Sequence, residues 1–129
     1  MSAWDAYIQN MKTSGLHVCG IYGLEGSAWA QTPEIKASQQ EIAAIVSGIH
    51  SQNFSNGVQI GGVRYTVIRY FSDTVTAKCR GAAKEEENYL VHAALAKTCI
   101  IIGGMCGPSE RDTAKIVEDI RDYLVRSNF

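Results

Sequence analysis

Residues 2–12, Ser-Ala-Trp-Asp-Ala-Tyr-Ile-Gln-Asn-Met-Lys, predict an amphipathic helix near the N-terminus. The apolar residues of this stretch recur at i, i+3, i+4 and i+7, the spacing of one helical face. They are Trp4, Tyr7, Ile8 and Met11. Ser2, followed three residues later by Asp5, is typical of a helix start. A helix of about three turns is marginal by itself in water, so this face must pack against another element.

Residues 109–127 offer a partner for that face, because they predict a second amphipathic helix. Its apolar stripe consists of Ile116, Val117, Ile120, Tyr123 and Leu124. Ser109 and Asp112, which follow Pro108, resemble a second capping signature. We therefore expect the two terminal helices to pack side by side.

The middle of the chain reads mainly as strands, which we predict at residues 17–23, 27–31, 58–60, 63–71, 74–80, 89–94 and 98–102. A capping box, Ser38 with Glu41, opens a helix that ends near residue 51. The glycine-rich residues 103–108 read as a loop that leads to the last helix. Strict alternation in residues 63–71 gives two faces, Val63, Tyr65, Val67 and Arg69 on one and Arg64, Thr66, Ile68 and Tyr70 on the other.

The connections between these strands are too short for crossovers, so the sheet should be mostly antiparallel. Residues 100–102 show no polar alternation, which indicates that helices cover both faces of the sheet. We predict an α+β domain with a central sheet of six to seven strands. The N- and C-terminal helices pack together on one face, and shorter helices lie on the other.

The composition is that of a globular protein, with 46% hydrophobic and 19% charged residues in 129. We expect one domain over residues 1–129. The formal net charge of −1 gives no general attraction to nucleic acid. Positive charge is nevertheless concentrated between residues 64 and 84, where Asp73 is the single acid, and the acidic residues 85–87 follow directly.

The four cysteines predict neither a zinc site nor a disulfide framework, because their spacing contains no C-x-x-C pair. No stretch resembles a secretory signal or is long enough to span a bilayer. We therefore expect free thiols and a reduced intracellular compartment.

No arrangement of residues predicts catalysis. His17, His50 and His92 are isolated in the sequence, and no Ser-His-Asp set or carboxylate pair can be identified. Residues 103–107 resemble a phosphate-binding loop but lack its Gly-Lys-Ser/Thr ending. We expect a protein that is not an enzyme and that uses no cofactor or metal.

Two residue sets admit two interpretations each. The aromatic residues Trp4, Tyr7, Trp29 and Tyr123 either fill the core between helices and sheet or form a partly exposed shelf suited to polyproline II segments. The basic residues on the predicted strands form either a solvated sheet face or a binding patch.

Four segments together resemble the profilin family, and they occur in the family's order along the whole chain. They are residues 2–7, 26–31, 61–69 and 122–124. The resemblance implies a monomeric, cytoplasmic and cytoskeletal protein that regulates actin filament assembly. Its implied partners are the actin monomer, proline-rich proteins and phosphoinositide headgroups, with no nucleic acid.

The resemblance also implies roles for individual residues. The polyproline-binding aromatics correspond to Trp4, Tyr7, Trp29, Tyr123 and Phe129. The actin-binding positions correspond to Arg64, Arg69, Lys78, Arg80 and Lys115, and those for phosphoinositides to Arg69, Lys78 and Arg80. Tyr123 replaces a histidine of several animal members, Phe129 replaces a frequent terminal tyrosine, and the acidic turn at 85–87 replaces a basic, glycine-rich one.

An alternative from another class is a small-ligand sensor or scaffold domain of the PAS-like kind, which is also a sheet flanked by helices. Such a domain would enclose an apolar pocket and bind neither actin nor polyproline. Retention on a polyproline column separates the two.

Overall fold

A computed structural model describes residues 4–54, 57–79, 81–82 and 84–129, and within these ranges the chain forms three α-helices and seven strands. The helices are α1 (Trp4–Thr13), α2 (Gln39–Ser51) and α3 (Thr113–Arg126). The strands are β1 (Val18–Gly23), β2 (Ala28–Gln31), β3 (Val58–Ile60), β4 (Val63–Phe71), β5 (Thr74–Lys78), β6 (Leu90–Leu95) and β7 (Cys99–Met105). Short 3-10 turns lie at Pro33–Ile35, Glu85–Glu87 and Glu110–Asp112. The predicted cap at Ser2 and the predicted site residue Arg80 lie outside the described residues.

All seven strands join one antiparallel sheet in the order β2-β1-β7-β6-β5-β4-β3. Helices α1 and α3 pack on one face, where Met11, Val117 and Leu124 are fully buried against Ile21 and Ile101. Helix α2 packs on the other face over a second core. The predicted three-layer α+β fold is confirmed.

The predicted start of α2 is also confirmed. Ser38 Oγ accepts a hydrogen bond from the Glu41 backbone N–H at 3.1 Å, and the Glu41 carboxylate accepts one from the Ser38 N–H at 2.9 Å. The same carboxylate accepts from the backbone N–H groups of Gly61 and Gly62, at 2.8 Å each. One side chain thus caps α2 and fixes the β3–β4 turn to it.

The predicted cap of the last helix is wrong. Neither Ser109 nor Asp112 makes a capping hydrogen bond with its side chain. The chain instead enters α3 through the 3-10 turn, and Thr113 Oγ1 donates to the Glu110 carbonyl at 2.6 Å.

The prediction of a loop at residues 103–108 is wrong for Gly103, Gly104 and Met105, which belong to β7. A Cβ on Gly103 would lie 2.6 Å from Leu16 Cδ1 and 2.7 Å from Val117 Cγ2. The absence of a side chain therefore lets α3 and the segment before β1 approach the strand.

A β-bulge in β4 also changes the predicted faces. Val67 pairs with Ala77, but Arg69 pairs with its neighbour Thr76, so Ile68 is the extra residue. Because Ala77 and Thr76 point to opposite faces, Arg69 lies on the opposite face from Val67. The bulge moves Arg69 to the α3 side, the side also faced by Lys78 in β5.

The four cysteines are free thiols, and Cys19, Cys79 and Cys99 are buried. None of the helices in the part of the chain that the structure describes has the length and apolar character to cross a membrane.

Candidate functional site

The structure brings the five predicted aromatic residues into one cluster, here called the aromatic cluster (Trp4, Tyr7, Trp29, Tyr123 and Phe129). The Trp4 ring centroid lies 5.6 Å from that of Tyr7 and 4.9 Å from that of Trp29. Phe129 meets Trp4 edge-on at 4.9 Å, and Tyr7 lies 6.0 Å from Tyr123. Trp4 is therefore the centre of the cluster.

Backbone hydrogen bonds hold Phe129 against this centre. Its backbone oxygen accepts from the Thr98 N–H at 2.5 Å and from Thr98 Oγ1 at 2.8 Å. Its own N–H donates to the Leu124 carbonyl at 2.8 Å, and Asn128 turns the chain with a φ of +73°. These contacts attach the end of α3 to the start of β7.

The cluster is a partly exposed shelf above the core. Trp4, Tyr7 and Trp29 are half-buried, whereas Tyr123 is 48% and Phe129 39% exposed. Partial burial, and secondarily the neighbouring Tyr123, raises the pKa of Tyr7. Aromatic faces beside phenol and indole donors can bind a polyproline II segment, whose rings lie flat and whose carbonyls accept hydrogen bonds.

The predicted basic residues lie in different surroundings. Arg64 and Arg69 are exposed on β4. Lys78 is only 17% exposed, and its ammonium donates to the Glu110 carboxylate at 2.6 Å and to the Asn88 carbonyl at 3.0 Å. Arg69 and Lys78 share the α3-side face of β4 and β5.

Lys115 lies on α3 and is 78% exposed. It pairs with Asp119 on the same helix at 2.8 Å, and this pair raises the pKa of the Lys115 ammonium. An exposed ion pair of this kind contributes little to stability. Lys115 can therefore leave Asp119 and bind a partner at little cost.

Sequence reasoning missed Arg121, whose guanidinium links the β4–β5 turn to α3. It donates to Asp73 and to Asp122 at 2.7 Å each, and to the Leu95 carbonyl at 3.1 Å. No sequence signal relates Arg121 to Asp73, because the contact exists only once α3 packs on the sheet.

Sequence reasoning also missed two apolar residues beside Arg69. Ile68 is 52% and Phe71 79% exposed. Both lie on β4, and Phe71 pairs with Thr74 in the register that places Arg69 opposite Thr76. This strand therefore presents apolar contact area next to its positive charge.

A buried histidine lies under the same surface. His92 is 2% exposed, and its Nδ1 lies 2.8 Å from Thr76 Oγ1. Its Nε2 lies 2.7 Å from Glu118 Oε2, within ion-pair distance although not aligned for a hydrogen bond. Burial lowers the pKa of His92, with a further lowering from Arg69 and Arg121, and the Glu118 carboxylate opposes this shift.

This lowered pKa predicts that the protein loses stability as the pH falls below about 6.5, the usual value for an unfolded-state histidine. Below this pH the unfolded chain binds the proton more readily than the folded chain. The free energy of unfolding therefore falls with decreasing pH, by at most about 1.4 kcal/mol per pH unit. Urea unfolding between pH 5 and 8 measures this slope, which His92→Gln should flatten. The control His50→Gln, at an exposed position of α2, should leave it in place, and equal slopes for His92→Gln and the parent would contradict the prediction.

The sequence model of the family described as Profilin matches residues 2–129. The chain belongs to the profilin family. Profilins are non-enzymatic proteins, which confirms the prediction that this chain is not an enzyme. Among the described residues, no group of three or more His, Cys, Asp or Glu could hold a metal ion.

Individual profilins match over nearly their whole length. The chain is 27% identical over 131 residues to Profilin-P of Physarum polycephalum, covering 98% of this chain and 99% of that protein. Among solved structures, mouse profilin IIa in complex with a double repeat from the FH1 domain of mDia1 superposes with a TM-score of 0.84 at 23% identity, covering 99% and 100% of the two chains. LokiProfilin2, in its complex with rabbit actin, superposes with a TM-score of 0.72 at 14% identity, and 98% of each chain is covered. These likenesses establish the profilin fold.

Proposed function

We propose that this profilin regulates actin filament assembly by binding proline-rich segments at the aromatic cluster and actin monomers at a second surface. The observation that carries the proposal is the aromatic cluster itself, which both ends of the chain build and leave partly exposed. Two structural relatives support it, since one holds an FH1 repeat and the other binds rabbit actin.

The proline-rich segment lies across α1 and α3 in this proposal. Trp4 and Tyr7 on α1, with Tyr123 on α3, supply ring faces to the prolines. Trp29 and Phe129 complete the groove at its other side. Phenol and indole groups donate to the prolyl carbonyls, which have no partners within a polyproline II helix.

Actin binds the α3-side face of β4 and β5, together with α3. Its positive charge comes from Arg64, Arg69, Lys78 and Lys115. Arg80, which lies outside the described residues, is a further basic residue of the proposed contact. We add Ile68 and Phe71 as apolar contacts, because charge alone sets orientation and association rate more than affinity. The two proposed surfaces use different parts of α3, since Lys115 lies in its first turn and Tyr123 in its last turn. We therefore expect a proline-rich segment and actin to bind together.

Phosphoinositide headgroups bind Arg69 and Lys78 on this face, together with Arg80, which lies outside the described residues, and they therefore compete with actin. A basic residue near an anionic membrane contributes about 1 kcal/mol. The Lys78–Glu110 pair and the exposed acidic residues 85–87 reduce this attraction. We expect binding weaker than a fully basic turn would give.

The chain acts in this proposal as a single domain over residues 1–129, as a monomer in the cytoplasm and at the cytoskeleton. The decisive experiment has two arms, retention on a polyproline column and titration with fluorescently labelled actin monomer. Binding in both arms is expected. Failure in either arm would contradict the corresponding half of the proposal.

The final residue provides a separate prediction. Phe129→Tyr should strengthen the binding of a proline-rich peptide by about 0.5–1.5 kcal/mol, because the ring is 39% exposed and a hydroxyl there can donate to a prolyl carbonyl. Isothermal titration calorimetry measures the change. An unchanged dissociation constant would mean that the ring edge of residue 129 points away from the bound peptide.

A further inference from the structure

A cavity of about 210 Å³ lies on the α2 side of the sheet, across from the aromatic cluster. It is an open cleft lined by residues 34–36, by Gly61 in the β3–β4 turn, and by Glu87. Its apolar floor belongs to the α2-side core and consists of Val18, Ile35, Ile60 and Val91. The site is independent of the function proposed above.

One polar side chain in this cavity has no partner. Tyr65 lines the cavity and is only 5% exposed, yet its hydroxyl makes no hydrogen bond to any described residue. Among the described residues, His92 Nε2 is the fully buried side-chain atom without a partner, so the unpaired Tyr65 oxygen keeps some exposure and faces the cavity. The hydroxyl is therefore ready to accept or donate a hydrogen bond to a guest.

The charged groups around the cavity favour a cation. Glu34, Glu87 and Tyr89 line it, and Lys36 is the cation among its described lining residues. Burial, followed by Glu87 and Glu34, raises the pKa of Tyr89. Burial also raises the pKa of Tyr65, to which Tyr89 and Glu87 contribute. Both phenols thus experience the negative potential of the carboxylates.

We propose that this cavity binds a primary alkylammonium group. Such a group has three N–H donors and no acceptor, which matches the Tyr65 oxygen and the carboxylates of Glu34 and Glu87. Its methylenes suit the apolar floor, and the tyrosine rings attract a cation. The volume is below that of most drug-sized ligand sites, which limits the guest to a lysine-like chain. A free small amine and a partner protein's lysine share this chemistry.

The experiment is an NMR titration of the whole chain, labelled with ¹⁵N, with n-butylammonium at low salt and with 1-butanol as the uncharged comparison. We expect saturable shifts around Tyr65, Tyr89 and Val91 with a dissociation constant of about 1 mM, and at least about tenfold weaker binding of butanol. Equal binding of butanol, or shifts that do not saturate, would overturn the proposal.

Variants test the assignment of residues. Glu87→Gln should weaken butylammonium binding by about fivefold and Lys36→Gln should strengthen it, since the first removes an attraction and the second a repulsion. Glu86→Gln is the matched control, because Glu86 is in the same acidic turn but does not line the cavity. Equal losses for Glu86→Gln and Glu87→Gln would mean diffuse attraction to the turn and would overturn the site.

Tyr65→Phe tests the unpaired hydroxyl and should weaken butylammonium binding, while the carboxylates of Glu34 and Glu87 keep the preference for butylammonium over butanol. Unchanged butylammonium binding in a folded Tyr65→Phe protein would overturn the assignment of this hydroxyl. If the Tyr65→Phe protein does not fold, Glu87→Gln and Lys36→Gln test the site instead, because both residues are exposed and their substitution should leave the fold intact. Titration with a blocked tripeptide that has a central lysine distinguishes a partner protein's lysine from a free small amine as the natural guest. Either of the two following results supports the site. Tighter binding than butylammonium indicates a partner's lysine, and equal binding a free amine.

Discussion

The Trp4→Ala protein is expected to lose nearly all retention on a polyproline column while it still binds actin monomers. Trp4 contacts the rings of Tyr7, Trp29 and Phe129, so its removal takes away the centre of the aromatic cluster. Truncation of a central aromatic anchor typically costs about 2–4 kcal/mol of binding free energy. That corresponds to an affinity for a proline-rich peptide about 30- to 800-fold weaker.

A control separates lost binding from lost structure. Phe71→Ala also removes an aromatic side chain, but one on β4 and 79% exposed, and it should leave peptide binding unchanged. Circular dichroism and urea unfolding establish that Trp4→Ala is folded, since the residue is half-buried. If the folded Trp4→Ala protein is retained normally, proline-rich segments bind elsewhere.

We expect the second large effect from Arg69→Glu, which should weaken actin binding by tenfold or more and leave the proline-rich peptide unaffected. Arg69 is exposed beside the apolar residues Ile68 and Phe71. Loss of one partner of a desolvated charge pair costs about 2–5 kcal/mol, and a reversal adds repulsion. Titration of labelled actin monomer at two salt concentrations measures the change.

Arg69 is a cleaner test than Lys78, although both were predicted from the sequence. Lys78 is paired with Glu110 at 2.6 Å, so Lys78→Glu would bring two carboxylates together and destabilise the fold. The double variant Lys78→Glu with Glu110→Lys restores an internal pair while it moves the positive charge. Lys12→Glu, on α1, is the control for a general charge effect. Unchanged actin affinity in Arg69→Glu, or a parallel loss of peptide binding, would contradict the model of two surfaces.

Local patterns in the sequence were sufficient to predict the elements whose formation depends on residues close together in the chain. The period of Ile8 and Met11 predicted α1, and the capping box of Ser38 and Glu41 predicted the start of α2 within one residue. These signals work because helix faces and caps depend on residues three or four positions apart. The short connections between strands likewise predicted an antiparallel sheet.

The resemblance to the profilin family supplied the set of aromatic residues, but their arrangement required the folded chain. Trp4 and Phe129 are at opposite ends of the sequence and touch because α1 and α3 share one face of the sheet. Composition left open whether these rings were core or surface. Their partial exposure is a property of packing, because it depends on which neighbours cover each ring.

Tertiary structure alone decided the rest. The sequence of β4 predicts regular alternation, and the bulge at Ile68 appears only in its pairing with β5, which brings Arg69 to the face of Lys78. The sequence predicted a loop at Gly103, whereas in the structure this glycine lies in β7 and lets Val117 of α3 pack closely against the strand. The contacts of Arg121 with Asp73 and the cavity around Tyr65 join segments far apart in the chain. Such features depend on contacts between distant segments, so no local pattern of residue types could specify them.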